Sequence, residues 1–150
     1  MTSQTKTAFV KVIAPISQKL AHAYGVRPSI IIAQASFESD FGRTLLARRY
    51  NNLFNSQVTP ERHAIWLRNT KGQLVCYARY KSYQESISAY LMQLKAGQIG
   101  SSKSYEAFVA TKNVDTLAEF LQHSGFSRSK DYARKIKAII KVYRLKAYDK

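Results

Sequence analysis

Residues 28–42, Pro28-Ser29-Ile30-Ile31-Ile32-Ala33-Gln34-Ala35-Ser36-Phe37-Glu38-Ser39-Asp40-Phe41-Gly42, decide how this chain is read. Proline suits the first position of a helix, where its missing N–H would have had no partner anyway. From Ile30 to Phe37 the residues are apolar on nearly all sides, the pattern of a central helix enclosed by protein. Gly42 is expected to stop it. One carboxylate, Glu38, falls in the last turn, one turn after Gln34. Burial and the negative end of the helix dipole both disfavour ionisation there, so its pKa should be raised. A general acid working near neutral pH needs that property. Taken alone, these residues fit a half-exposed Glu38 paired with Arg43 equally well.

Working outward, Phe9, Val12, Ile13, Ile16, Leu20 and Ala23 recur at helical spacing, predicting a helix over 7–24 that ends at Gly25. Pro15 falls inside it, where a kink or early break is expected. Residues 1–6 read as a flexible tail and 7–150 as one domain. At 150 residues and 45% hydrophobic content, the chain can bury one real core. A short helix is expected over 43–49. The runs 63–69 and 73–80 carry β-branched and aromatic residues and flank Asn69-Thr70-Lys71-Gly72, a hairpin signal in which Gly72 can take positive φ. Helical spacing returns over 83–96, 105–111, 114–124 and 130–143, with Gly97, Gly100 and Gly125 between segments. The expected fold class is mainly α (α+β), with a small β-hairpin lobe inserted after the third helix.

Lys and Arg number 24 against 9 Asp and Glu, a formal net charge of +15. Such a surface is drawn to polyanions: nucleic acid, anionic lipid or an anionic cell wall. A nucleic-acid binder is the rival from another class, with Arg134, Lys135, Lys137 and Lys141 following phosphates. Against it, the basic residues are scattered from end to end, and no zinc-finger, RNP or bZIP signature is present. The lone Cys76 has no partner for an internal disulfide and reads as a buried structural thiol. His22, His63 and His123 lack a Cys or acid at ligand spacing, so no metal is expected. Without a P-loop or dinucleotide fingerprint, no cofactor is expected either. No apolar run approaches the roughly 18 residues of a membrane helix. Met1 to Lys6 is polar, and Lys11 and Lys19 interrupt the apolar positions after it, so no secretory leader is legible. A removed leader, another export route or retention inside the producer would each fit.

The residues Ala14-Pro15, Tyr24-Gly25-Val26, Pro28-Ser29, Ile32-Ala33-Gln34-Ala35, Glu38-Ser39, Phe41-Gly42 and Asn51-Asn52-Leu53-Phe54 together resemble the glucosaminidase family. These are peptidoglycan N-acetylglucosaminidases found among autolysins, flagellar hydrolases and phage lysins. The resemblance continues at Tyr80-Lys81-Ser82-Tyr83-Gln84-Glu85-Ser86 and at Gly125-Phe126 with Asp131-Tyr132-Ala133, so it spans nearly the whole chain. It implies a lysozyme-like fold and hydrolysis of the β-1,4 bond after N-acetylglucosamine in peptidoglycan. It further implies Glu38 as general acid, Tyr132 facing the cleft, and Asn51, Asn52 and Phe54 in a cleft-side turn. Asn51-Asn52 is also ordinary turn chemistry, and Tyr132 also suits a core aromatic. Peptidoglycan strands and anionic wall polymers are the expected partners of a monomeric, secreted or wall-located enzyme.

One departure matters. Many family members carry a second acid on the hairpin, whereas here Ile65-Trp66-Leu67-Arg68-Asn69-Thr70-Lys71 has none. Between Phe41 and Gln84 the sole carboxylate is Glu61, which is therefore the candidate for polarising a water; a solvated loop residue after Pro60 fits as well. A 2-acetamido sugar can instead supply its own nucleophile, its amide oxygen attacking the anomeric carbon, so that Glu38 with Tyr132 forms a minimal site. Trp66 and Tyr80, with Tyr77 and Tyr83, offer flat faces suited to sugar rings, and one or two are expected to touch glycan. A lytic transglycosylase shares the lysozyme-like fold and one Glu, but usually has Gly-Leu-Met-Gln where this chain has Asn51-Asn52-Leu53-Phe54. An inactive wall-binding relative is the remaining reading.

Overall fold

The computed structural model describes residues 3–58 and 63–150. In chain order it runs α1 (Ser3–Ala23), α2 (Pro28–Glu38), α3 (Leu45–Tyr50), β1 (Ala64–Arg68), β2 (Leu74–Ala78), α4 (Tyr83–Lys95), α5 (Ser104–Ala110), α6 (Val114–His123) and α7 (Tyr132–Val142). A 3-10 turn, Leu145–Asp149, closes it. The mainly helical class with a small antiparallel hairpin after the third helix is the architecture found.

Helix α2 is the axis around which the rest is built. Ile30, Ile31, Ile32, Ala33 and Ala35 are fully buried, enclosed by α1, α6, α7 and the closing turn. Each such isoleucine stabilises the fold by about 1.5–3 kcal/mol relative to exposure. The N-terminus of α2 is tied to the far end of the chain. Asp149 Oδ1 accepts from the Ser29 N–H at 2.8 Å and Asp149 Oδ2 from the Ser29 hydroxyl at 2.6 Å. A carboxylate at a helix N-terminus satisfies an orphan donor and complements the dipole. The closing turn is not foreseeable from the sequence, because its partner lies 120 residues away.

Four local expectations need correction. Residues 3–6 are helical, not part of a tail; α1 begins at Ser3, and Lys6 Nζ sits 5.1 Å above the Phe41 ring. Helix α1 continues through Pro15. Pro15 and Lys11, one turn earlier, are both exposed, so the carbonyl that proline leaves without a partner faces water. Helix α2 stops at Glu38, four residues before Gly42. Asp40 at φ +49° takes the left-handed position, its N–H reaching the Phe37 carbonyl at 3.4 Å while the Phe41 N–H reaches that of Ser36 at 2.8 Å. That pair of bonds is a Schellman closure, usually made by glycine, with an aspartate in its place. Helix α3 starts at Leu45, not residue 43, because the Thr44 hydroxyl caps it by accepting from the Ala47 N–H at 3.2 Å.

The hairpin pairs Ala64 with Ala78 through Arg68 with Leu74. Its turn is held by Asn69, whose Oδ1 accepts from the Lys71 and Gln73 N–H groups, with Gly72 at φ +77°. The free edge of β2 is covered by the segment after α3: Ala78 N–H donates to the Ser56 carbonyl, and Gln57 bridges Tyr77. This places the loop 51–58 between the helical body and the hairpin.

Candidate active site

Glu38 is the last residue of α2 and is half-buried. Burial, first, raises its carboxyl above the ordinary value of 4.5; a hydrogen bond from Asn55 opposes that rise. The Arg43 pairing does not form, because the Arg43 guanidinium turns to Asp40 at 2.6 Å. Among the described residues Glu38 thus has one neutral donor and no salt-bridge partner, so burial outweighs the single bond that favours its charged form.

Sequence reasoning missed Asn55. Its Nδ2 donates to the Glu38 carbonyl at 3.2 Å and to Glu38 Oε2 at 3.0 Å, from a backbone held at φ +54°. The signal that it matters is slight: asparagine tolerates left-handed backbone, and Asn55 directly follows the Asn51–Phe54 turn.

Behind Glu38 lies a buried relay. Gln34, one turn earlier, donates from Nε2 to the Tyr132 hydroxyl at 2.8 Å and accepts at Oε1 from the Tyr90 hydroxyl at 2.9 Å. The Tyr132 phenol is held above its ordinary value of 10 by burial, opposed by the Gln34 bond and reinforced by the Glu38 charge. Burial chiefly does the same for Tyr90, with Tyr132 and Glu38 adding to it. Both phenols thus face Glu38 as neutral groups. Tyr132 is only 1% exposed, its ring edge-on to Phe37 at 5.8 Å. The tyrosine expected to face the cleft is a core residue, its hydroxyl bonded to Gln34.

The turn residues divide. Asn51 ends α3 at φ +55° and donates to the Tyr80 carbonyl at 3.1 Å. Asn52 is fully buried, donating to the Ser56 and Ala78 carbonyls and accepting from the Ser56 N–H. Those three bonds use both of its donors and its carbonyl inside the fold, so the side chain joins loop to hairpin. Phe54 is nearly buried, stacked on Tyr90 with centroids 3.9 Å apart. It thereby carries the loop's position to the Gln34 relay. Tyr80 lies between hairpin and α4; its buried hydroxyl has Ser56 beside it and no hydrogen-bond partner that meets full geometry among the described residues. Trp66 on β1 is 50% exposed and free to meet a ligand. Cys76 is buried. Glu61 lies outside the described residues. Among the described residues no cluster of His, Cys, Asp or Glu suits a metal ion, and no helix is long and apolar enough to cross a membrane.

The family described as "Glucosaminidase: Mannosyl-glycoprotein endo-beta-N-acetylglucosaminidase" matches residues 14–145. The exo-glucosaminidase LytG of Bacillus subtilis (strain 168) is 33% identical over 148 residues, covering 94% of this chain and 52% of that protein. A probable N-acetylmuramidase of Lactococcus lactis subsp. cremoris is 28% identical over 159 residues, covering 98% and 36%. The chain thus spans about half the length of the first and about a third of the second. The catalytic domain of the autolysin Auto from Listeria monocytogenes superposes with a TM-score of 0.84 at 25% identity, covering 99% of this chain and 90% of that one. The glycoside hydrolase domain of Salmonella typhimurium FlgJ shares the fold, with a TM-score of 0.76 at 23% identity over 95% and 90% of the two chains. The helical domain with a small hairpin lobe is common to these domains.

Proposed function

Since the chain belongs to the glucosaminidase family, we propose that it hydrolyses peptidoglycan at the β-1,4 bond between N-acetylglucosamine and N-acetylmuramic acid, with Glu38 as general acid. The observation that carries this reading is the environment of Glu38: half-buried at the carbonyl end of α2, raised in pKa, and held by a neutral amide, with no salt bridge among the described residues. The names of the similar proteins, an exo-glucosaminidase and a probable N-acetylmuramidase, point to the same polymer.

In this mechanism the Glu38 proton passes to the departing glycosidic oxygen. The substrate's acetamido oxygen attacks the anomeric carbon from the opposite face, closing a five-membered ring as the C–O bond breaks. Water then opens that ring, losing a proton to the Glu38 carboxylate, which restores the acid. A retaining scheme with an enzyme nucleophile would need a second carboxyl about 5 Å away, and an inverting one a base about 6.5–9.5 Å away. Glu61 is the remaining candidate for either role. Substrate assistance predicts that Glu61→Gln keeps most activity; covalent trapping of a sugar on Glu61 would overturn it. The burial of Tyr132 supports a positioning role, through Gln34, over contact with glycan. Of the aromatics expected to meet glycan, Trp66 is the one exposed enough to lie against a sugar ring. The net charge of +15 favours retention on anionic wall polymers, so the wall is the place of work.

The test is digestion of purified peptidoglycan by the wild type and by Glu38→Gln, with analysis of the released ends. A reducing N-acetylglucosamine end and a loss of about 100-fold or more in the variant are expected. An anhydro end would instead identify a lytic transglycosylase.

A further inference from the structure

We propose that Asn55 is a positioning residue for Glu38: its side-chain amide claims Oε2 as an acceptor, so the transferable proton is carried on Oε1. The proposal deepens the reading of Glu38 as general acid and rests on it.

Both hydrogens of Asn55 Nδ2 have partners on one residue, the Glu38 carbonyl at 3.2 Å and Oε2 at 3.0 Å. Two acceptors on one nitrogen leave no doubt which end of the amide faces Glu38. Of the two oxygens of a neutral carboxyl the carbonyl one is the stronger acceptor, so an N–H held on Oε2 favours the form protonated on the other oxygen. The neutral acid therefore keeps its hydrogen on Oε1. When that proton leaves for the glycosidic oxygen, negative charge develops on the carboxylate and the bond to Oε2 becomes charge-assisted and stronger. Such an interaction gains strength during the reaction, the requirement for lowering a barrier and not merely tightening a complex. The chain accepts a cost for this arrangement. Asn55 sits at φ +54°, where glycine would be unstrained.

Other groups around the carboxyl do not duplicate the role. Tyr90 from α4 and Tyr132 from α7 face it as neutral phenols, both bonded to Gln34. On the following turn Asp40 and Arg43 are paired with each other. Lys135 of α7 lies over the Phe37 ring at 5.8 Å. Among the described residues Asn55 is the side chain that hydrogen-bonds the carboxyl itself.

The experiment compares wild type, Asn55→Gly and Asn55→Asp by carboxyl-carbon NMR titration of Glu38 and by the pH dependence of kcat and KM on solubilised glycan. Glycine suits the backbone and removes the donor; aspartate keeps the shape and replaces the donor with a charge. Both should raise the Glu38 pKa, aspartate more, and move the alkaline limb of kcat to higher pH. At the wild-type optimum, kcat of Asn55→Gly should fall about tenfold or more with little change in KM. An unchanged Glu38 titration in both variants would overturn the proposal. If wild type releases no glycan fragments while the titration shifts as described, the arrangement at Glu38 stands and the enzymatic reading falls. Should Asn55→Gly fail to fold, Asn55→Asp gives the same titration readout.

Discussion

Gln34 Nε2 donates to the Tyr132 hydroxyl at 2.8 Å across 98 residues of sequence, inside a core where neither side chain meets solvent. Because Gln34 Oε1 also accepts from Tyr90, one amide fixes α4 and α7 to the helix that ends in Glu38. The three side chains form a closed set in which each buried polar group answers another.

Replacing Gln34 with leucine keeps the volume and removes both bonds. The two phenols are left buried without partners, and the variant should lose about 2–4 kcal/mol of stability, roughly 1–2 for each stranded group. Thermal unfolding measures this. A Tm equal to wild type would show that the relay contributes nothing to holding α4 and α7.

Tyr132→Phe keeps the ring contacts with Phe37 and Phe126 and removes the hydroxyl. Gln34 Nε2 loses its acceptor, for a cost of about 1–2 kcal/mol. If Tyr132 positions and does not touch glycan, activity should fall far less than in Glu38→Gln. Equal losses in the two variants, by initial rates on peptidoglycan, would contradict the positioning role.

Glu38 itself should weaken the fold at neutral pH. Its pKa in the folded state is raised above the ordinary 4.5, so the native protein holds that proton more tightly than the unfolded chain. Its favourable contribution is complete below pH 4.5, shrinks as pH rises through the folded-state pKa, and is gone above it. Glu38→Gln, which never ionises, should therefore unfold at a higher temperature than wild type at about pH 7, the advantage vanishing toward about pH 4. Activity has the same direction: the alkaline limb should follow deprotonation of Glu38. Melting curves from about pH 4 to 8 that run parallel for both proteins would refute this.

Asn52→Ala should be costly without any direct effect on chemistry. Three hydrogen bonds to loop and hairpin are lost, amounting to about 2–4 kcal/mol. Circular dichroism melts would register the loss, whereas Trp66→Ala, at a half-exposed position, should leave Tm nearly unchanged and weaken glycan binding.

Gly42→Ala tests the turn after the Schellman closure. Gly42 sits at φ +80°, and an added Cβ would come within 2.8 Å of the Phe9 ring. Left-handed backbone alone costs an alanine about 1–2 kcal/mol, and displacement of the ring adds to it. A neutral substitution would mean that Phe9 and the turn shift together at no cost.

Much of this protein was decided locally. The apolar run Ile30–Ala35 could only be enclosed, proline at 28 could open the helix, and Asn69 through Gly72 could close a hairpin; each comes from a side chain acting on its own backbone or its own helix face. The acid at the end of α2 was legible for the same reason, as a charge set where burial and dipole oppose it. Beyond the sequence lay the partners. Whether Glu38 would turn to Arg43 or to Asn55, whether Asn52 would face a ligand or the hairpin, and where the carboxylate of Asp149 would dock all depend on which distant segments meet. Hydrogen bonds act over about 3 Å and carry no mark in composition or spacing, so only the folded chain could choose among donors that the sequence offered in equal standing.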